Sequence, residues 1–153
     1  MTQLIKTDAH HPDFITLVQQ LDAYLAITDG DEHAFYDQFN QVDTIKWVIV
    51  ACEDEKPVGC GAIKAYDSDR AEVKRMYVTA ECRGKGVATT ILSALEHWAA
   101  ELSFTKCILE TGKRQTEAVA FYQKNGYQRV PNYGQYKDMD NSLCFEKQVK
   151  LGN

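Results

Sequence analysis

The sequence predicts an α+β fold, a mixed sheet flanked by about four helices, and three observations point to it. Apolar residues recur at helical spacing in four separate segments. Three apolar or β-branched runs follow one another between residues 45 and 78 with short polar connections, the pattern of an antiparallel meander. A strand, a glycine-rich turn, a helix and another strand then succeed one another between residues 71 and 110, which is a crossover unit and sets two strands parallel to each other or splayed apart.

Taken in order, the chain opens on a short apolar start at Leu4 and Ile5. The segment from Pro12 to Ile27 puts Phe14, Leu17, Val18, Leu21, Tyr24 and Leu25 on one helical stripe, with Pro12 near its N-terminus. A shorter helix is expected from Asp31 to about Phe39, capped by Asp29 or Asp31. Ile45 to Cys52, the polar EDEK turn and Pro57 to Tyr66 read as a hairpin, and Ala71 to Val78 as a third strand after DSDR. A helix from about Gly86 to Leu102 carries Val87, Ile91, Ala94, Leu95, Trp98 and Leu102 as its core stripe. Strand Lys106 to Glu110 and a helix from about Gln115 to Asn125, stopped by Gly126, come next. A short strand near Tyr127 to Val130, a loop rich in Pro, Asn, Gly and Asp, and a last strand near Ser142 to Val149 complete the chain.

A length of 153 residues suits one domain, and residues 1–153 are read as one, since neither a linker nor an internal repeat interrupts them. With 22 acidic against 17 basic residues the net charge is −5, which disfavours a nucleic-acid partner. No stretch approaches the roughly 20 apolar residues of a membrane span, and the first residues lack the apolar core of a secretory signal, so a soluble, cytoplasmic protein with no membrane partner is expected. The five cysteines, Cys52, Cys60, Cys82, Cys107 and Cys144, are odd in number and contain no CxxC pair, which argues for reduced, mostly buried thiols rather than disulfides or zinc. The four histidines show no helical pair of the kind that holds a metal, and no metal is expected.

The chemistry concentrates at Arg83-Gly84-Lys85-Gly86-Val87-Ala88. This turn follows a strand and opens a helix, so backbone N–H groups and the positive end of the helix dipole converge on one spot suited to phosphate. Gly84 and Gly86 allow close approach, and Arg83 and Lys85 add charge. It is not a Walker loop, since Gly86 rather than Ser or Thr follows Lys85, nor a dinucleotide fingerprint, since position 89 is Thr89. Thr89 and Thr90, in the first helical turn, reach either a phosphate or their own backbone.

The strand AEVKRMYV, the RGKGVA turn, ILETG, and the run from Gln115 through Tyr127 together resemble the GCN5-related N-acetyltransferase (GNAT) superfamily. Arg83, Gly86 and Ala88 match its acetyl-CoA signature, and Ala118, Tyr122, Gly126 and Tyr127 match its second signature, in which Gln115 stands where Asn is usual. The resemblance covers the chain from about Lys46 onward and implies a mostly antiparallel sheet with a splayed central parallel pair. It implies acetyl-CoA as cosubstrate, with its diphosphate on residues 83–88, assisted by Thr89 and Gln115, and its pantetheine arm along Met76, Tyr77 and Val78. An N–H near Val78 would polarise the thioester carbonyl.

Acetyl transfer to an amine moves two protons: the ammonium loses one and the leaving thiolate gains one. Tyr122, protonated at neutral pH, fits the second task, although its helix would also place it in the core. Glu72, six residues before Val78, is where the histone-acetylating branch of the family carries its base; Glu110, at the end of the next strand, is the other candidate. Each carboxylate is alternatively an ion-pair partner of Lys74, Arg75 or Lys113, and a water relay is a third route.

The resulting expectation is an acetyl-CoA-dependent N-acetyltransferase acting on a primary amine of a small molecule, with a protein or peptide acetylase and a non-catalytic CoA-binding module as the rivals. A homodimer is compatible with this reading. The acids Asp22, Asp29, Asp31, Glu32 and Asp37 are read as a solvated helix face in preference to a cationic-acceptor site. The loop at 131–141, with Tyr133 and Tyr136, either covers the site or lines an open groove.

Overall fold

The computed structural model describes residues 2–29 and 45–149. Seven strands form one sheet in the order β1-β2-β3-β4-β5-β7-β6: β1 Thr2–Thr7, β2 Trp47–Glu53, β3 Lys56–Ala65, β4 Arg70–Val78, β5 Lys106–Gly112, β6 Gln128–Val130 and β7 Ser142–Gln148. Among the described residues three α-helices flank it: α1 Pro12–Asp29, α2 Val87–Glu101 and α3 Thr116–Lys124. The expected helix at 31–39 lies outside the described residues. All neighbouring strands run antiparallel except β4 and β5, the pair joined by the α2 crossover.

The β2–β3 hairpin closes on Asp54 and Glu55, both at positive φ, between the paired Glu53 and Lys56. Two such residues form the tight turn whose twist matches the strands it joins. Apolar residues at β2 and β3 are buried on both faces, because α1 covers one and α2 the other. Phe14, Leu17 and Val18 of α1 pack with Val48, Val50, Cys60 and Ala62. On the opposite face Val87, Ile91, Leu92, Leu95 and Ala99 of α2 pack with Ile49, Ile63, Ala71, Val73 and Leu109, joined by Tyr122 of α3.

Two details depart from the sequence reading. Leu4 and Ile5 belong to a full edge strand, paired with β2 from Thr2 to Thr7; both side chains remain more than a third exposed, so the segment lacks the alternation that announces a strand. Tyr24 is not a core residue but 42% exposed. Its ring instead faces the guanidinium of Arg83 at 5.7 Å.

Candidate active site

The site begins with an interruption of the sheet. Strands β4 and β5 pair with each other only at Arg70, Ala71 and Glu72 against Lys106, Cys107 and Ile108; beyond that, β4 continues to Val78 paired with β3 alone and β5 to Gly112 paired with β7 alone. The divergence is reinforced from the β3 side. Cys60 pairs with Tyr77 and Ala62 with Lys74, so Gly61 faces both Arg75 and Met76, a β-bulge in which Arg75 adopts a φ of +60°. Gly61 has to be glycine, because a Cβ there would stand 2.5 Å from Met76 Sδ and 2.9 Å from side chains of Ile91 and Leu95. Ala71, Val73, Met76 and Val78 pack on the α2 side of β4. Strand alternation turns Glu72 and Lys74 to the α1 side, and the bulge adds Arg75 to that face.

On the α2 side of the opening lies a cavity of about 410 Å³. Met76, Tyr77, Val78, Arg83, Gly84, Gly86, Val87, Ala88, Thr89 and Tyr122, all singled out by the sequence, line it, together with Cys82, Glu117, Ala118, Phe121 and Lys124. Gly84 and Gly86 hold φ of +78° and +83°, and no heavy atom stands within 4 Å of where a Cβ would be. These glycines therefore serve the turn's conformation and leave open space in front of the α2 N-terminus, where amide N–H groups can donate to an anion. A CoA diphosphate fits this cradle. Arg83 is anchored: its Nε donates to the Val78 carbonyl at 3.0 Å, and its guanidinium lies 5.7 Å from the rings of both Tyr24 and Tyr77. The Thr90 hydroxyl donates to the Gly86 carbonyl at 2.9 Å, which ties down the first turn of α2. Lys85 is exposed on the turn and is not part of the cavity wall.

A smaller cavity of about 120 Å³ adjoins it, lined by Glu72, Lys74, Arg75, Glu110, Gln115 and Tyr136 among others, with Leu21 and Leu25 of α1 above. The two cavities share Met76, Ala118 and Tyr122. Gln115, expected on the cofactor, thus lines the inner cavity. Tyr122 is buried, and burial followed by the nearby Glu110 charge pushes its hydroxyl pKa well up, so it stays protonated. Glu72, only 6% exposed, accepts a hydrogen bond on Oε2 from the Tyr133 hydroxyl at 2.6 Å, while its Oε1 lies 3.8 Å from Lys74 Nζ. Burial lowers the Lys74 pKa, and Glu72 partly opposes that. Arg75 is paired with Asp22 of α1 at 2.7 Å.

The first half of the 131–141 loop meets this inner cavity through Tyr136, which lines it, and Tyr133, which is bonded to Glu72. Tyr133 stacks edge-on with Tyr66 and Tyr136, with ring centroids 5.1 and 5.9 Å away, and Tyr136 itself is buried in the wall. Sequence reasoning left open whether this loop covers the site, and it did not assign Lys74 or Tyr133 to the site. For Lys74 the signal was its i, i+2 spacing from Glu72 on one strand; for Tyr133, whose partner is 61 positions away, none was present. Of the acids around the first helices, Asp22 is engaged by Arg75. Among the described residues no group of three His, Cys, Asp or Glu is arranged to hold a metal ion, and no helix is long and apolar enough to cross a membrane.

Comparison with known proteins agrees with this geometry. A family model described as acetyltransferase (GNAT) family matches residues 13–127. An IAA acetyltransferase of Azospirillum brasilense is 31% identical over 136 residues, covering 87% of this chain and 88% of its own. A crystal structure of a Klebsiella pneumoniae protein assigned as an acyl-CoA N-acyltransferase superposes with a TM-score of 0.82 at 28% identity, over 97% of this chain and 98% of that one. A GNAT family acetyltransferase from Elizabethkingia anophelis, solved with acetyl-CoA bound, has a TM-score of 0.72 at 16% identity over 97% and 98% of the two chains, a likeness of fold.

Proposed function

Because this chain belongs to the GNAT family of acetyltransferases, we propose that it transfers the acetyl group of acetyl-CoA to a primary amine of a small molecule, by direct attack of the amine on the thioester. The observation that carries this reading is the junction of the two cavities at Met76, Ala118 and Tyr122. Acetyl-CoA supplies an activated acetyl thioester. Its diphosphate rests on the open turn at Gly84 and Gly86 and the α2 N-terminus, and its pantetheine arm takes the place of β5 along the unpaired edge of β4 from Met76 to Val78. An N–H of that edge donates to the thioester carbonyl oxygen, where negative charge develops; such donors contribute a few kcal/mol. Similar proteins solved with CoA or acetyl-CoA support the cofactor assignment.

The acceptor enters the inner cavity. Glu72, oriented by Tyr133, accepts the ammonium proton, the nitrogen bonds to the carbonyl carbon, Tyr122 donates its proton to the departing sulfur as the C–S bond breaks, and the second proton of the attacking nitrogen restores the Tyr122 hydroxyl. Burial keeps the Tyr122 hydroxyl protonated at neutral pH, so a proton stands ready where the sulfur departs. Glu110, near enough to Tyr122 to influence its titration, is the second carboxylate able to take the base role. The small volume of the inner cavity, about 120 Å³, favours a small acceptor over a polypeptide laid across an open groove. We place the enzyme in the cytoplasm, as one acetyltransferase domain, with its described cysteines as free thiols.

The test is CoA-thiol release over a panel of small amines, wild type beside Tyr122→Phe. The variant should remain folded, keep its KM for acetyl-CoA, and lose roughly ten- to a thousandfold in kcat. Equal turnover by the two proteins would return Tyr122 to a packing role.

A further inference from the structure

We propose that Gln115 recognises the acceptor rather than the cofactor, its carboxamide hydrogen-bonding a polar group of the amine held in the inner cavity. The inference rests on the small-amine reading above and names a residue that sets which amine is held there. Gln115 is the N-cap of α3, and with Ala118 and Tyr122 it follows the i, i+3, i+7 spacing of one helix face. Ala118 and Tyr122 line both cavities, at their junction, whereas Gln115 lines the inner one only. This face of α3 therefore reaches the acceptor side at Gln115.

The backbone holds Gln115 from both sides. Its N–H donates to the Gly112 carbonyl, at the end of β5, at 3.0 Å, and its own carbonyl accepts from the Val119 N–H at 3.1 Å. Its side chain makes no capping bond to α3, and of residues 113–117 it alone is not exposed. The charged groups of the same cavity already answer one another: Lys74 lies 3.8 Å from Glu72 and also feels the Glu110 charge, and Arg75 pairs with Asp22 at 2.7 Å. A carboxamide adds hydrogen-bond donors and an acceptor to that wall without adding a charge. Once an amine fills a space of about 120 Å³ and displaces water from it, the amide needs a new partner, and leaving it without one costs free energy. A polar group of the bound amine supplies that partner. Glutamine in place of the asparagine usual in the second signature lengthens the amide's reach by one methylene.

The experiment measures CoA-thiol release with the amine that the wild-type enzyme acetylates fastest in the panel, beside Gln115→Ala and Gln115→Asn, and CoA affinity of all three proteins by calorimetry. Gln115→Ala should raise the KM of the amine roughly three- to tenfold, the scale of one lost neutral hydrogen bond, with kcat changed less. CoA affinity and the KM of acetyl-CoA should stay at their wild-type values. Gln115→Asn, which keeps the amide and shortens its reach, should move the same constant by less, and it decides the matter if Gln115→Ala does not fold. A fall in CoA affinity in either folded variant would return Gln115 to the cofactor and overturn the inference while leaving the small-amine reading standing. Constants equal to wild type throughout would overturn it as well. A wild-type enzyme that binds acetyl-CoA and acetylates no amine of the panel would overturn the small-amine reading and this inference with it.

Discussion

Glu72, the carboxylate proposed as base, is held in place by its neighbours. Its carboxylate is buried, with Oε2 fixed by the Tyr133 hydroxyl and Oε1 turned toward Lys74. Glu72→Gln keeps that shape and loses the basicity, so turnover at neutral pH should drop and partly recover at high pH, where the amine is already deprotonated in solution. Tyr133→Phe removes only the orienting donor. As a positioning residue it should shift the pH-rate profile and lower kcat by a smaller factor, on the order of tenfold, without changing the KM for acetyl-CoA. A pH profile unchanged in Glu72→Gln but lost in Glu110→Gln would assign the base to Glu110. Glu72 stood out in the sequence through the family resemblance, six residues before Val78, on a segment whose apolar and β-branched residues marked it as a strand. The Tyr133 contact did not, since it joins a strand to an irregular loop, and no period relates the two.

Strand β4 and the helix that follows it divide the labour between conformation and binding. Gly86→Glu puts a carboxylate into open space in front of the α2 N-terminus, where it competes with the diphosphate; CoA affinity measured by calorimetry should collapse while the fold persists. Gly61→Val acts in the opposite sense. Its side chain would collide with Met76, Ile91 and Leu95, so urea unfolding should show a loss of about 1–3 kcal/mol from overpacking, with activity falling as the bulge is displaced. Unaltered CoA binding in a folded Gly86→Glu protein would remove the turn from the cofactor site. The bounds of β4 and α2 were readable to within a residue or so, because a β-branched run, a glycine turn and a 3.6-residue stripe follow each other. The bulge was hidden, as Arg75 takes a left-handed conformation that a non-glycine residue does not advertise. Gly59 and Gly61 inside β3 were its visible trace, since glycine within a strand marks a bulge or a close approach. The edge strand β1 was missed for want of a buried face.

At the scale of the molecule, the buried thiols and phenols set how the fold responds to alkali. Burial pushes Cys60 and Cys107 up to about 12 and Cys144 to about 11, from an ordinary value of 9.0. Tyr122, Tyr133 and Tyr136 are likewise raised by burial. Above the ordinary thiol value the unfolded chain binds fewer protons than the folded one, so stability falls as pH rises toward the folded values. Lys74, whose pKa burial lowers, works in the other direction, but as one group against several. Melting curves should show Tm nearly level up to about pH 9 and a steep decline by about pH 11; a Tm that holds or rises over that window would contradict the buried, protonated state of these groups. The joined cavities carry a stronger consequence: on the proposed mechanism amine and thioester meet at Met76 and Tyr122, which both cavities share, only while both are bound. Initial rates measured with acetyl-CoA and the acceptor varied together test this most directly. The account predicts double-reciprocal lines that intersect, the mark of a ternary complex; parallel lines, the mark of an acetylated enzyme that releases CoA before the amine enters, would contradict it.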